Sequence, residues 1–146
     1  MIGIEPFRWW HIAEVMPVEE DLFGPEKWSS AMFWNELAQR QFYVVAVDGD
    51  AGGEVVGYAG LAVVDDSECW VQNIAVKRTA QQRGIGRRLL ETLLERAGDR
   101  RTLLEVAVDN GPAQHLYAVY DFEPVGIRRG YYQPSNTDAL VMMRDV

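Results

Sequence analysis

The chain has 146 residues, a length that suits one domain with one sizeable core. Its 22 acidic and 14 basic side chains leave a net charge of -8, which argues against nucleic acid as a direct partner, and no apolar run reaches the roughly 18 residues of a membrane span. The Met1-Ile2-Gly3-Ile4-Glu5 start has no basic segment followed by an apolar one, so no secretory leader is expected; the single cysteine, Cys69, forms no internal disulfide and fits a reducing cytoplasm as a small core residue.

Ile2 to Phe7 reads as a short first strand. Trp9 to Phe23 has helical spacing, and Pro17 is expected to kink or divide it. Pro25 falls in the following loop. Ser29 is placed as an N-cap, with Trp28 before it and Phe33 in the first turns, the spacing of a hydrophobic staple. That helix is expected to run to about Arg40. Phe42 to Val47 is a strand, Asp48 to Glu54 a glycine-rich hairpin loop, and Val55 to Val64 and Glu68 to Val76 two further strands joined at Asp65-Asp66-Ser67.

The stretch from Gln72 to Ala97 carries the strongest chemical signal. A buried strand ends in Ile74-Ala75-Val76, and an amphipathic helix begins near Ile85 with Leu89, Leu90, Leu93, Leu94 and Ala97 on one face. Between them lies Gln81-Gln82-Arg83-Gly84-Ile85-Gly86-Arg87. The first turn of a helix has unpaired N–H groups and the positive end of the dipole. Glycine lets that backbone touch a phosphate, so strand, glycine turn and helix form an anion cradle. The turn lacks the lysine of a P-loop, and Leu89 stands where the dinucleotide fingerprint needs its third glycine.

Thr102 to Val108 is the next strand, and Gly111-Pro112 opens a helix with Ala113, Leu116, Tyr117 and Tyr120 on its apolar stripe. Phe122 to Tyr131 and Asp138 to Arg144 form a closing antiparallel pair. Residues 1–146 therefore read as a single α/β domain on a mixed sheet. Glu105 sits inside the apolar run Leu104-Glu105-Val106, where a carboxylate is costly unless it is paired or faces a cleft. It reads either as a general base or as part of the wet face of an alternating strand. Tyr117 reads as a site residue or a core aromatic, and Asn110 as a ligand contact or a helix cap. Residues 1–73 hold 13 acidic and 3 basic side chains, and residues 74–146 hold 9 and 11. The second half is thus the one that welcomes a polyanion, while the acidic half attracts a basic peptide or serves solubility.

The Gln81-x-x-Gly84-x-Gly86 turn after Ile-Ala-Val resembles the pyrophosphate loop of the GCN5-related N-acetyltransferases (GNAT), which use acetyl-coenzyme A. Leu104-Glu105-Val106, Asn110, Ala113, Leu116-Tyr117 and Arg128-Arg129-Gly130-Tyr131-Tyr132 follow one another as in the bacterial ribosomal-protein alanine N-acetyltransferases of the RimI type, actinobacterial members above all. The resemblance implies a mostly antiparallel mixed sheet of about six to seven strands, splayed at the cofactor site, with about four helices. It implies that Ile74, Ala75 and Val76 pair with the pantetheine arm, that Gln81, Gln82, Arg83, Gly84, Ile85, Gly86 and Arg87 surround the pyrophosphate, and that Asn110 binds further along. Glu105 is then proton acceptor, Tyr117 proton donor, and Tyr131 and Tyr132 lie in a loop closing over a peptide N-terminus.

The acceptor so implied is the N-terminus of a ribosomal protein, in the cytoplasm, with no metal and no membrane; a partner protein is compatible with the sequence, but nothing in it marks one. A GNAT acting on a lysine or small-molecule amine, and a coenzyme A-binding module without catalysis, are the alternatives. Ala107 and Asp121 depart from the family's usual arginine and glycine.

Overall fold

The computed structural model describes residues 1–145. The chain runs β1 (Ile2–Pro6), α1 (Ile12–Phe23), α2 (Ser30–Ala38), β2 (Phe42–Asp48), β3 (Glu54–Val63), β4 (Glu68–Val76), α3 (Ile85–Ala97), β5 (Arg101–Ala107), α4 (Gly111–Val119), β6 (Glu123–Tyr132) and β7 (Thr137–Arg144). The strands form one sheet in the order β1-β2-β3-β4-β5-β7-β6. Neighbours are antiparallel except β4 and β5, which run parallel. This is the expected α/β architecture, and no helix among the described residues is long and apolar enough to cross a membrane.

Side-chain alternation sorts the core onto the two faces of the sheet. Val44 and Ala46 of β2 join the cluster that α3 supplies with Ile85, Leu89, Leu90 and Leu93. Tyr43 and Val45 join the other, built with Phe7, Ile12, Val15 and Phe33 from the α1–α2 side. Each fully buried leucine of α3 contributes roughly 1.5–3 kcal/mol.

Local signals set the helices. Ser29 Oγ accepts from the Met32 N–H at 3.3 Å, and the Trp28 and Phe33 rings lie 5.2 Å apart, so the cap and staple form together. Of the two effects expected of Pro17, division of α1 does not occur: the helix is continuous from Ile12 to Phe23, after a 3-10 turn at Trp9–His11. Pro17 and Ala13 are both exposed. The Ala13 carbonyl that proline deprives of a donor therefore faces water, while Ile12, Val15 and Val18 hold the opposite face in the core. The second helix ends at Ala38, short of Arg40, which takes a left-handed φ of 58°.

Two features open the middle of the sheet. Strands β4 and β5 pair only over Glu68–Trp70 and Arg101–Leu103, and then diverge. On its other side β4 shifts register against β3 between Gly60 and Leu61, leaving Gln72 as an extra residue; such bulges bend a strand.

Gly60 is required at that bend. A methyl group there would fall 2.1 Å from ring carbons of Tyr43, whose hydroxyl donates to Glu36 at 2.9 Å and cannot swing away freely. Gly60→Ala is expected to destabilise the fold by about 1–3 kcal/mol, read as a lower urea midpoint at unchanged m-value; an unchanged midpoint would show that the ring relocates without cost.

Candidate active site

The divergence of β4 and β5 leaves a groove of about 670 Å³. One wall is the second half of β4, including Ile74, Ala75 and Val76, whose backbone has no β5 partner past Trp70. The other is the C-terminal half of β5 with Leu104, Glu105 and Val106. Asn110, Ala113 and Tyr117 continue it at the start of α4, Gln81 borders it before the glycine turn, and Tyr132 closes it from the β6–β7 hairpin. The structure thus brings Ile74, Ala75, Val76, Gln81, Glu105, Asn110, Tyr117 and Tyr132 to one space.

The glycine turn follows a different logic. Gly84 is the N-cap of α3 with φ +78° and supplies no side-chain cap, and Gln82 is also left-handed at φ +64°. The N–H groups of Ile85, Gly86 and Arg87 are the orphan donors of a 13-residue helix. A Cβ at Gly84 would meet no protein atom within 4 Å, so glycine there keeps an external cradle open, as an anion needs. Ile85 offers only its backbone, because its side chain is 2% exposed and packed in the core. The flanking cations are partly committed: Arg83 pairs with Asp48 at 3.3 Å, Arg88 donates to the Ile2 carbonyl at 2.8 Å, and Arg87 lies over the Tyr120 ring. Gln81 donates to the Val76 carbonyl at 3.0 Å, tying the turn to the strand end.

Asn110 acts as a helix cap, its Oδ1 accepting from the Ala113 N–H at 3.2 Å. Tyr117 is both core and site: it packs on Phe122 at 5.8 Å between ring centroids and still borders the groove. Burial raises its hydroxyl well above the ordinary tyrosine value, so it is protonated throughout the physiological range. Tyr131 and Tyr132 stand in the last two positions of β6 rather than in a loop, beside a register shift that follows Arg128; the turn proper is residues 133–136. Burial, then the neighbouring Tyr131 and the carboxylates of Glu105 and Glu26, push Tyr132 up to about 12.

Two features escaped the sequence reading, the partner of Arg128 and the burial of Glu19. Arg128 donates to Glu105 Oε1 at 2.9 Å. Glu19 is only 1% exposed and borders the groove. It accepts from Tyr58 Oη at 2.7 Å, Asn73 Nδ2 at 3.2 Å and the Trp28 N–H at 2.9 Å. No carboxylate stands beside Glu105 along the chain, but folding sets Glu19 and Glu26 on the same groove. In the sequence Glu19 is one of several acidic residues in the helical segment Trp9 to Phe23. Only its place on the Val15–Val18–Glu19 face would have marked it as buried.

A sequence model of the acetyltransferase (GNAT) family matches residues 7–122. The chain is 42% identical over 132 residues to the N-alpha-acetyltransferase RimI of Mycobacterium tuberculosis, a match spanning 88% of this chain and 82% of the relative. It is 34% identical over 120 residues to the ribosomal protein bS18-alanine N-acetyltransferase of Escherichia coli, 79% of this chain and 78% of that protein. The crystal structure of the Escherichia coli ribosomal-protein-S18-alanine N-acetyltransferase superposes with a TM-score of 0.87 at 28% identity, over 99% of this chain and 93% of that one.

Glu19 joins α1, β3, β4 and the start of α2 through three donors. Glu19→Gln keeps its shape but turns one acceptor into an NH2 group facing either the Trp28 N–H or the Tyr58–Asn73 donors. The expected loss is about 1–3 kcal/mol of unfolding free energy, measured by urea titration; a loss below about 0.5 kcal/mol would show the donors finding other partners.

Proposed function

The chain belongs to the acetyltransferase (GNAT) family, and we propose that it is an acyltransferase carrying the acetyl group of acetyl-coenzyme A to the free α-amine of an N-terminal alanine, on the eighteenth protein of the small ribosomal subunit. The observation that carries the reading is that Glu105 and Tyr117 border one groove, whose β4 wall at Ile74–Val76 has no β5 partner and which extends to Gln81 before the glycine turn.

The residues present fit the cosubstrate. The edge of Ile74, Ala75 and Val76 that β5 leaves unpaired, with the Val76 carbonyl taken by Gln81, suits the amides of a pantetheine arm, as a strand would pair there. The turn from Gln81 to Arg87, with its orphan N–H groups and open Gly84, suits a pyrophosphate. Asn110 retains its side-chain N–H groups for a contact beyond its capping oxygen. When bound, acetyl-coenzyme A supplies the acetyl group as a thioester and leaves as the thiol.

Glu105 takes the proton that the attacking amine gives up, directly or through one water, while the nitrogen's electron pair forms the amide bond. Tyr117 gives its hydroxyl proton to the departing sulfur. Its raised pKa does not forbid this, because burial disfavours a free thiolate in the same place. An α-amine with a pKa of about 7.7–8.0 costs roughly 1–1.4 kcal/mol to neutralise at pH 7, whereas a lysine near 10.4 costs about 4–5. One carboxylate suits the first task better than the second. Glu19, Glu26 and Glu105 make the groove attractive to an ammonium end, and Tyr131 and Tyr132 at the hairpin narrow the approach for a peptide.

Acetyl-coenzyme A at a hundred times its dissociation constant is expected to stabilise the protein by about 2.7 kcal/mol. Gly84→Val is expected to lower the unliganded melting temperature modestly through its left-handed backbone and to abolish most of the ligand-induced rise, since its methyls project into the cradle. A full ligand-induced rise in the variant would place the pyrophosphate elsewhere.

The acceptor is tested with three peptides of one alanine-starting ribosomal sequence: free N-terminus, pre-acetylated N-terminus, and free N-terminus with every lysine changed to arginine. Acetyl transfer is expected with the first and third only. Modification of the pre-acetylated peptide, located on lysine by fragmentation, would move the assignment to lysine acetylation.

A further inference from the structure

The carboxylate of Glu105 is held unevenly. Oε1 accepts from Arg128 Nη1 at 2.9 Å, while Oε2 is buried and has no hydrogen-bond partner among the described residues. Buried polar atoms are almost always satisfied, so an exception at a groove calls for a chemical reason.

Arg128 reaches Glu105 from two strands away. In the register Arg128 stands opposite Ala139 of β7, and Ala139 opposite Ala107 of β5. Cross-strand partners share a face, as do Ala107 and Glu105, two positions apart on β5. Two strand spacings are about 9.5 Å, a gap that an arginine and a glutamate span together. The row of Arg128 holds only the methyls of Ala139 and Ala107, while Val141 stands opposite Glu105 in the neighbouring row. The guanidinium also lies 4.4 Å from the centroid of the Tyr131 ring. Arg128 is 54% exposed and the Glu105 side chain only 13%, so the guanidinium reaches from solvent to a largely buried carboxylate.

We infer that Arg128 is the positioning residue of this site. It pins Oε1 of Glu105 and so fixes the orientation of the carboxylate that borders the groove. The amine's N–H bond breaks, the proton bonds to that carboxylate, and the electron pair stays on nitrogen for the new amide. Through its stacking on Tyr131, the same guanidinium links the setting of the base to the β6–β7 hairpin against which the peptide is read. The inference rests on Glu105 being the proton acceptor.

The test is initial-rate kinetics with acetyl-coenzyme A and an alanine-starting peptide, for the native protein, R128Q, R128K, E105Q and the double variant E105Q/R128Q, with melting temperatures alongside. R128Q is expected to lose about 10–100-fold in kcat, with KM for acetyl-coenzyme A and melting temperature unchanged. R128K keeps the charge but not the planar fork, and is expected to recover part of the rate. The double variant is expected to be no slower than E105Q, because Arg128 acts through Glu105. A slow E105Q beside a native-rate R128Q overturns the inference alone, as does a double variant slower than E105Q by the full R128Q factor. A native rate for E105Q overturns the reading of the base, and the inference with it.

Discussion

Beyond Trp70 and Leu103 the backbones of β4 and β5 no longer bond to each other, and the rest of the arrangement depends on that separation. Every N–H and C=O released at a sheet interior needs some partner, so two strands that part in mid-sheet create a demand that an extended, amide-bearing ligand meets. The bulge at Gln72 and the glycine at position 60 bend β4 away on one side. On the other, β5 is held in place by six pairs with β7, from Thr102 to Ala107. On one face of the sheet α3 packs Ile85, Leu89, Leu90 and Leu93 into the core cluster.

Two carboxylates on the groove show how differently burial treats the same group. Glu19 is surrounded by donors from a tyrosine, an asparagine and a backbone N–H; it organises the elements around it and leaves little capacity for chemistry. Glu105 has one oxygen engaged and one without a partner. A carboxylate met by three donors fixes the geometry around it, and one met by a single donor is held less tightly. The division of labour follows from the number of donors each one meets.

Much of this was readable before folding was considered. The Ile85–Ala97 stripe, the Ser29 cap with its Trp28–Phe33 staple, the Asp65 turn and the paired strands at the C-terminal end all lie in local patterns whose physics is local. Glu105 stood out because an apolar strand rarely tolerates a charge. Glu19 and Arg128 did not, since their meaning comes from partners 39 and 23 residues away that only the sheet brings near. Pro17 misled for a related reason: its cost depends on whether the freed carbonyl faces water, and that is decided by which side of α1 is buried. The tyrosines at 131 and 132 were assigned to a loop by the family resemblance; in the fold they form an irregular strand end instead.

The outer strand β6 has a bearing on how the molecules behave toward one another. It pairs with β7 alone and is the last strand of the sheet, with Val125 and Ile127 turned to solvent. A ten-residue edge of that kind is a template on which another copy's strand can grow. Pro124 removes one donor from it, two register shifts break its straight run, and Arg128 and Arg129 add charge. The irregularities near the hairpin that set Tyr132 on the groove and Arg128 against Glu105 are therefore also what discourages edge-to-edge association, so colloidal stability and the setting of Glu105 are properties of one strand.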